Sequence, residues 1–197
     1  MLRKGMAMAT QKTRVTAEQA AHLCGPEESW ELVEGELIRM PPSVEEHNAL
    51  AAKMARLLGN HADSKRLGIV YGENAGFLLR RNPDTLRAAD AAFVSKDRLV
   101  EGRPATRFRE LAPDLVVEVV SSNDTAQEVH HKTLMWLEAG TRLVLVVYPD
   151  TQIIEAHRSP KEIVQYGRGE SVDCAPVFLD LALSVDEVFR SVDYSQG

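Results

Sequence analysis

The run Leu115-Val116-Val117-Glu118-Val119-Val120 is apolar and rich in β-branched residues, with a carboxylate set inside it. Such a run reads as a strand buried in a sheet. Side chains alternate with period two along a strand, so Val116, Glu118 and Val120 share one face. Stability alone would favour another Val at position 118, because an unpaired buried carboxylate costs several kcal/mol. Glu118 therefore calls for a cation, a metal ion or water, or for a wet strand end just before Ser121 and Ser122. In α/β folds the strand ends are where both solvent and active sites are met.

The rest of the chain alternates helix and strand signals around this run. Thr16-Ala17-Glu18-Gln19 has capping-box spacing and opens a short helix to about Leu23. Residues 30–38 alternate about a Glu34-Gly35 turn, which predicts an N-terminal β-hairpin. Pro41-Pro42-Ser43 breaks that pattern. A helix over about 44–60 follows, with Leu50, Met54, Leu57 and Leu58 at helical spacing. Residues 69–79 read as one or two strands, interrupted near Asn74 and Gly76. After the Asn82-Pro83-Asp84 turn, residues 87–94 read as another strand. Asn123-Asp124-Thr125 caps a helix that ends at Gly140. Leu143 to Tyr148 is a fully buried strand, 152–157 and 162–166 a further hairpin, and 183–189 a closing helix.

A chain of 197 residues, 44% hydrophobic and 26% charged, can bury a substantial core and is short for two domains. The expectation is a leader over residues 1–14 and one domain over 15–197. The apolar runs fall short of the roughly 18 residues of a membrane span, and the N-terminus has no hydrophobic stretch of the secretory kind. Cys24 and Cys174 stand far apart without a CxxC, which suits a reducing cytoplasm. Net charge is −6 and the pI near 5.6. This argues against a general nucleic-acid coat protein but not against a nuclease, whose acidic metal site adds negative charge of its own. From Lys96 to Arg109 five basic residues (Lys96, Arg98, Arg103, Arg107, Arg109) outnumber Asp97 and Glu101, an excess of +3. That stretch is either a solvated loop or a binding surface. Arg80, Arg81 and Arg87 are further candidate nucleic-acid contacts.

Asp90 lies among small and apolar residues in Ala88-Ala89-Asp90-Ala91-Ala92-Phe93-Val94, a second carboxylate in a strand pattern. With Glu118 it could form a hard-cation site of oxygen ligands, leaving positions for water and phosphate. Lys132 falls on the helix after the Glu118 strand, beside Val129 and Trp136. It either reaches the sheet, snorkels to solvent, or pairs with Glu128 one turn earlier. His47, early in the first long helix, could reach a phosphate or a carboxylate, or serve an ordinary helix-face role. Glu36 is a further candidate acid. Glu73 is either a third acid or a turn residue. There is no GxSxG for a serine hydrolase, no P-loop and no GxGxxG, and the adjacent His130 and His131 point to different helix faces.

The order Asp90, then Glu118-Val119-Val120, is similar to the PD-(D/E)XK nuclease superfamily. More closely, the chain resembles its Uma-type restriction-endonuclease family. The matching stretches are Trp30 through Leu37, Pro41-Pro42-Ser43 followed by His47, Arg87 through Val94, and Pro113 through Ser122 with Asp124. Lys132 with Ala139-Gly140, and Leu183 through Phe189, match as well. The resemblance covers roughly residues 28–190 and rests on the order and spacing of these stretches.

This resemblance implies an α/β fold of the α+β type: a restriction-endonuclease-like mixed central sheet flanked by helices, with the N-terminal hairpin added. It implies Mg²⁺ or Mn²⁺ held by Asp90, Glu118 and the carbonyl of Val119, with Lys132 positioning water for phosphodiester hydrolysis of DNA. A homodimer suits an enzyme that cuts two strands. Two departures stand out: Ala89 replaces the usual Pro before the Asp, and Val120 replaces the usual Lys two residues after the Glu. In the resembling family a lysine on the following helix takes over, and Lys132 occupies that place. Two other functions stay open, a nuclease-fold module that binds nucleic acid or protein without cutting, and a metal-dependent hydrolase of another phosphoester.

Overall fold

The computed structural model describes residues 14–25, 28–42, 44–99 and 108–190. Helix α1 (Ala17–Leu23) precedes the hairpin β1 (Trp30–Val33) and β2 (Glu36–Arg39), then the long helix α2 (Glu45–Lys65). Strands β3 (Gly68–Tyr71), β4 (Ala75–Arg80), β5 (Thr85–Ala89) and β6 (Ala91–Ser95) follow, with a 3₁₀ turn at Lys96–Arg98 and the two-residue strand β7 (Phe108–Arg109). Next come β8 (Leu115–Val119), α3 (Ala126–Glu138), β9 (Leu143–Tyr148), and the hairpin β10 (Ile153–Ser159) and β11 (Glu162–Tyr166). The short strands β12 (Ser171–Asp173) and β13 (Ala182–Ser184) pair with each other before α4 (Val185–Phe189).

A six-stranded mixed sheet, ordered β11-β10-β9-β8-β6-β3, is the centre of the molecule. Its β8 and β9 are parallel and joined by the crossover helix α3, while the other neighbours run antiparallel. One face buries Phe93, Leu115, Val117 and Leu145 against Leu50, Met54 and Leu58 of α2 and Val188 and Phe189 of α4. Each such large apolar side chain contributes about 1.5–3 kcal/mol by leaving water. The other face buries Ala92, Val116, Val144 and Val146 against Trp136 of α3 and Phe77 of β4.

That second face also meets a second sheet, of five strands ordered β2-β1-β5-β4-β7. Its far side packs Leu32, Leu78 and Leu86 on Ala17 and Ala20 of α1. A central mixed sheet flanked by helices agrees with the expected fold class. The N-terminal hairpin belongs to the added sheet rather than to the central one.

Three boundaries differ from the sequence reading. The strand expected over residues 87–94 is two strands, β5 in one sheet and β6 in the other, parted at Asp90. The chain crosses between sheets there, and burial on both sides of the crossing hid it from the pattern. Helix α2 runs on to Lys65 because Ala62 still packs in the core; Arg66, left-handed at φ 53°, ends it. Residues 182–184 form a strand, and the closing helix begins only at Val185, capped by the Ser184 hydroxyl.

Cys24 and Cys174 are both free and buried. No helix among the described residues is long and apolar enough to cross a membrane. The expected leader up to residue 13, Ser43, Arg103 and Arg107 lie outside the described residues. In the basic stretch, Arg98 pairs with Asp114 at 3.1 Å, and the Arg109 guanidinium lies over the Tyr71 ring, 5.5 Å from its centre.

Candidate active site

Helix α3 lies over the face of β8 that carries Glu118, because it is the crossover from β8 to its parallel neighbour β9. Lys132 and Trp136 are four residues apart and share one side of α3. Both reach Glu118. The Lys132 ammonium is 2.8 Å from Oε2, and the indole Nε1 of Trp136 donates to Oε1 at 2.7 Å. Glu128 does not compete for the lysine, since its carboxylate accepts from the Thr125 amide at 2.9 Å and the Thr125 hydroxyl at 2.7 Å. This capping box starts α3 and so sets the register that aims Lys132 and Trp136 inward.

Asp90 occupies the crossing between β5 and β6. Its amide donates to the Val117 carbonyl at 3.2 Å, and its Oδ2 accepts from the Val119 amide at 2.6 Å. The side chain of Asp90 is thereby tied to the residue next to Glu118. His47, in the first turn of α2, brings Nε2 to 3.3 Å from the same Oδ2. That contact raises the His47 pKa above its ordinary value against the opposing effect of burial, and the Glu73 charge adds to it.

A third acid lies in the cluster. Glu31 of β1 is 2% exposed and faces the same interior as Glu118. Its Oε2 meets Arg87 Nη1 at 2.5 Å, while Oε1 accepts from the Ala88 amide at 3.0 Å and lies 3.4 Å from Lys132 Nζ. Glu31 carried the same signal as Glu118, an acid between apolar neighbours (Trp30 and Leu32) in a strand. The sequence reading singled out Glu36 in that hairpin instead. Glu36 is exposed on the edge strand β2, opposite Val33.

Burial pushes the Glu118 carboxyl up to about 7; Lys132 pulls it back, and the Asp90 and Glu31 charges push it further. Burial works against the Lys132 ammonium, yet the charges of Glu118, Glu31 and Asp90 outweigh it and hold its pKa above the ordinary lysine value. Glu31 stays below the usual carboxylate range despite the opposing effect of burial, because Lys132 and Arg87 flank it and the Ala88 amide donates to it.

Among the described residues no three His, Cys, Asp or Glu side chains are grouped closely enough to hold a metal ion by themselves. The oxygen donors of Asp90 and Glu118, with the neighbouring Val119 carbonyl, are of the kind that Mg²⁺ or Mn²⁺ prefers, such ions keeping further positions for water and phosphate. A carboxylate offers about four lone-pair directions. Lys132 and Trp136 take two on Glu118, so the residues present fit a divalent ion that shares the carboxylate with them.

The other sequence candidates lie elsewhere. Glu73 is exposed in the turn between β3 and β4. Arg80 pairs with Glu34 at 2.9 Å, and Arg81 meets Glu18, Glu110 and Asp84 at 2.8, 2.7 and 3.0 Å. Arg87, also a candidate nucleic-acid contact, is 8% exposed, held between Glu31 and the Met135 sulfur, 3.0 Å away. An alternating strand pattern does not say which face a second sheet covers, and that cover buries Arg87.

A family model described as Uma2, putative restriction endonuclease, matches residues 17–186 of the chain. The fold is similar to a crystal structure of a putative nuclease belonging to DUF820 from Anabaena variabilis. That likeness has a TM-score of 0.76 and 20% identity, and it covers 89% of this chain and 98% of the other. No curated protein matches the chain.

Proposed function

The chain belongs to the Uma2 putative restriction endonuclease family, and from that premise we propose that it is a divalent-metal-dependent endonuclease hydrolysing phosphodiester bonds in DNA. The observation that carries this reading is the meeting of two acids and one amine, from separate elements, around Glu118: Lys132 on its Oε2, and Asp90 on the adjoining Val119 amide.

In this reading Asp90, Glu118 and the Val119 carbonyl hold Mg²⁺ or Mn²⁺. The chemistry such an ion supplies when bound is Lewis acidity toward a phosphoryl oxygen and a lowered pKa for water. The chain's own residues do the rest. Trp136 and Val119 fix the orientations of the two carboxylates through their N–H groups. The Lys132 ammonium orients the attacking water and offsets negative charge as it builds on the phosphate. His47 holds Asp90 from the side of α2. Cutting both strands of a duplex calls for two such sites, so a homodimer is part of the proposal. A cytoplasmic setting fits two free, buried cysteines.

Plasmid DNA with Mg²⁺ or Mn²⁺ tests the reading. Wild type is expected to nick or linearise it, and Asp90→Ala and Glu118→Ala are each expected to abolish cutting. A wild-type protein that retards DNA in a gel but cuts nothing would favour a non-cleaving binding module. Turnover of small phosphodiesters with indifference to DNA would favour another phosphoesterase.

A further inference from the structure

We infer that Glu31, braced by Arg87, is a positioning residue that keeps Lys132 in place while Glu118 is engaged elsewhere. The inference rests on the reading above and adds to it a group that acts through the lysine.

Glu31 has more cationic partners than its own burial needs. Arg87 on Oε2 and the Ala88 amide on Oε1 already give it a counter-charge and a hydrogen bond. Lys132, at 3.4 Å from Oε1, is additional. From the side of Lys132 the count is different. Its two carboxylate neighbours are Glu118 and Glu31, and Glu118 is the one assigned to the ion. Once Glu118 shares its charge with a dication, attraction between that carboxylate and the ammonium weakens. Glu31 is then the remaining anion for a long, flexible side chain that would otherwise turn to water.

Arg87 makes Glu31 a fixed anchor. It comes from β5, in the five-stranded sheet, and its Nη2 reaches the Met135 sulfur on α3, three residues along from Lys132. The Glu31–Arg87 pair therefore joins the second sheet to the helix that carries the lysine. Its carboxylate cannot follow Lys132 outward, because the Ala88 amide and the guanidinium hold both oxygens.

A double-mutant cycle on single-turnover plasmid cleavage tests this. Glu31→Gln is expected to slow cleavage roughly 10–100-fold, the scale of losses when a supporting partner of a metal site is removed, with Mn²⁺ affinity within about threefold of wild type. Lys132→Met should slow it at least as much, and the double variant should be no slower than Lys132→Met alone, since residues acting as a unit are non-additive. Losses that multiply, or a wild-type rate in Glu31→Gln, would overturn the inference. If Glu31→Gln does not fold, Glu31→Asp replaces it: it keeps the charge but withdraws it from Lys132, and should slow cleavage severalfold, whereas an unchanged rate would overturn the role.

A second arm stands apart from nuclease activity. Crystal structures of Glu118→Gln and of Glu31→Gln/Glu118→Gln, both without metal, show where the lysine goes when the Glu118 charge is gone. The ammonium should stay within about 3.5 Å of Glu31 in the single variant and leave the cluster in the double. A lysine that leaves already in the single variant, or stays put in the double, would contradict the positioning role whether or not the protein cuts DNA.

Discussion

At the scale of single residues, the account turns on a carboxylate raised to about 7 by burial and held by a lysine and an indole. With the proposed ion on Glu118, a proton and the cation would compete for its carboxylate, so Mn²⁺ affinity is expected to rise about tenfold per pH unit below 7 and to level off above it. A titration followed by electron paramagnetic resonance at pH 5.5 to 8.5 measures this, and a flat profile would count against it. The same shift has a stability consequence of opposite sense. Between the ordinary 4.5 and about 7 the native state holds the Glu118 proton more tightly than the unfolded chain does. Metal-free protein therefore loses that part of its stability as pH rises through the window. Glu118 and Asp90 were legible in the sequence because a charge inside an apolar run has few structural excuses. Glu31 carried the same signature, but a short hairpin strand exposes one face as often as it buries two. Only the covering α3 face and Arg87 give it an interior place.

At the scale of elements, α3 matters most, because a rotation or fraying of its first turns would withdraw Lys132 from Glu118. Its start is set by the reciprocal Thr125–Glu128 capping box. Thr125→Ala is expected to cost about 1 kcal/mol of stability and to lower the cleavage rate more than Mn²⁺ affinity, since Glu118 sits on β8 and Asp90 between β5 and β6, while the amine sits on the helix. Thermal unfolding and single-turnover kinetics read the two effects separately; a loss of metal affinity with an unchanged rate would contradict this division. The helix and its cap were readable from Thr125 onward, as was the buried strand β9, because capping and long apolar runs are local signals. The break at Asp90 was not. Local periodicity continues straight through it, and the cause is long-range, namely the donation of the Val119 amide to the Asp90 carboxylate.

At the scale of the whole molecule, net charge is −6, and Arg80, Arg81 and Arg87, the candidate nucleic-acid contacts, are spoken for. Arg80 and Arg81 lie in ion pairs with surface carboxylates, and Arg87 is buried. These three should then add little to DNA binding. Arg81→Ala is expected to change DNA affinity by less than about twofold and to leave its dependence on salt intact, whereas loss of a true phosphate contact lowers the salt slope by about 1. Fluorescence anisotropy across a salt series decides between them. The central sheet and its flanking helices could be foreseen from the order of elements. The second sheet could not, because its strands are short and pair across long stretches of chain, as β1 does with β5. What joins the three scales is the proposal that Asp90 and Glu118 share one divalent ion. The most direct measurement is the anomalous density of a crystal soaked in Mn²⁺. A peak is expected between these two carboxylates, with an oxygen of each at roughly 2–2.5 Å; a peak elsewhere, or a cluster still closed by Lys132 with no ion in it, would overturn the assignment.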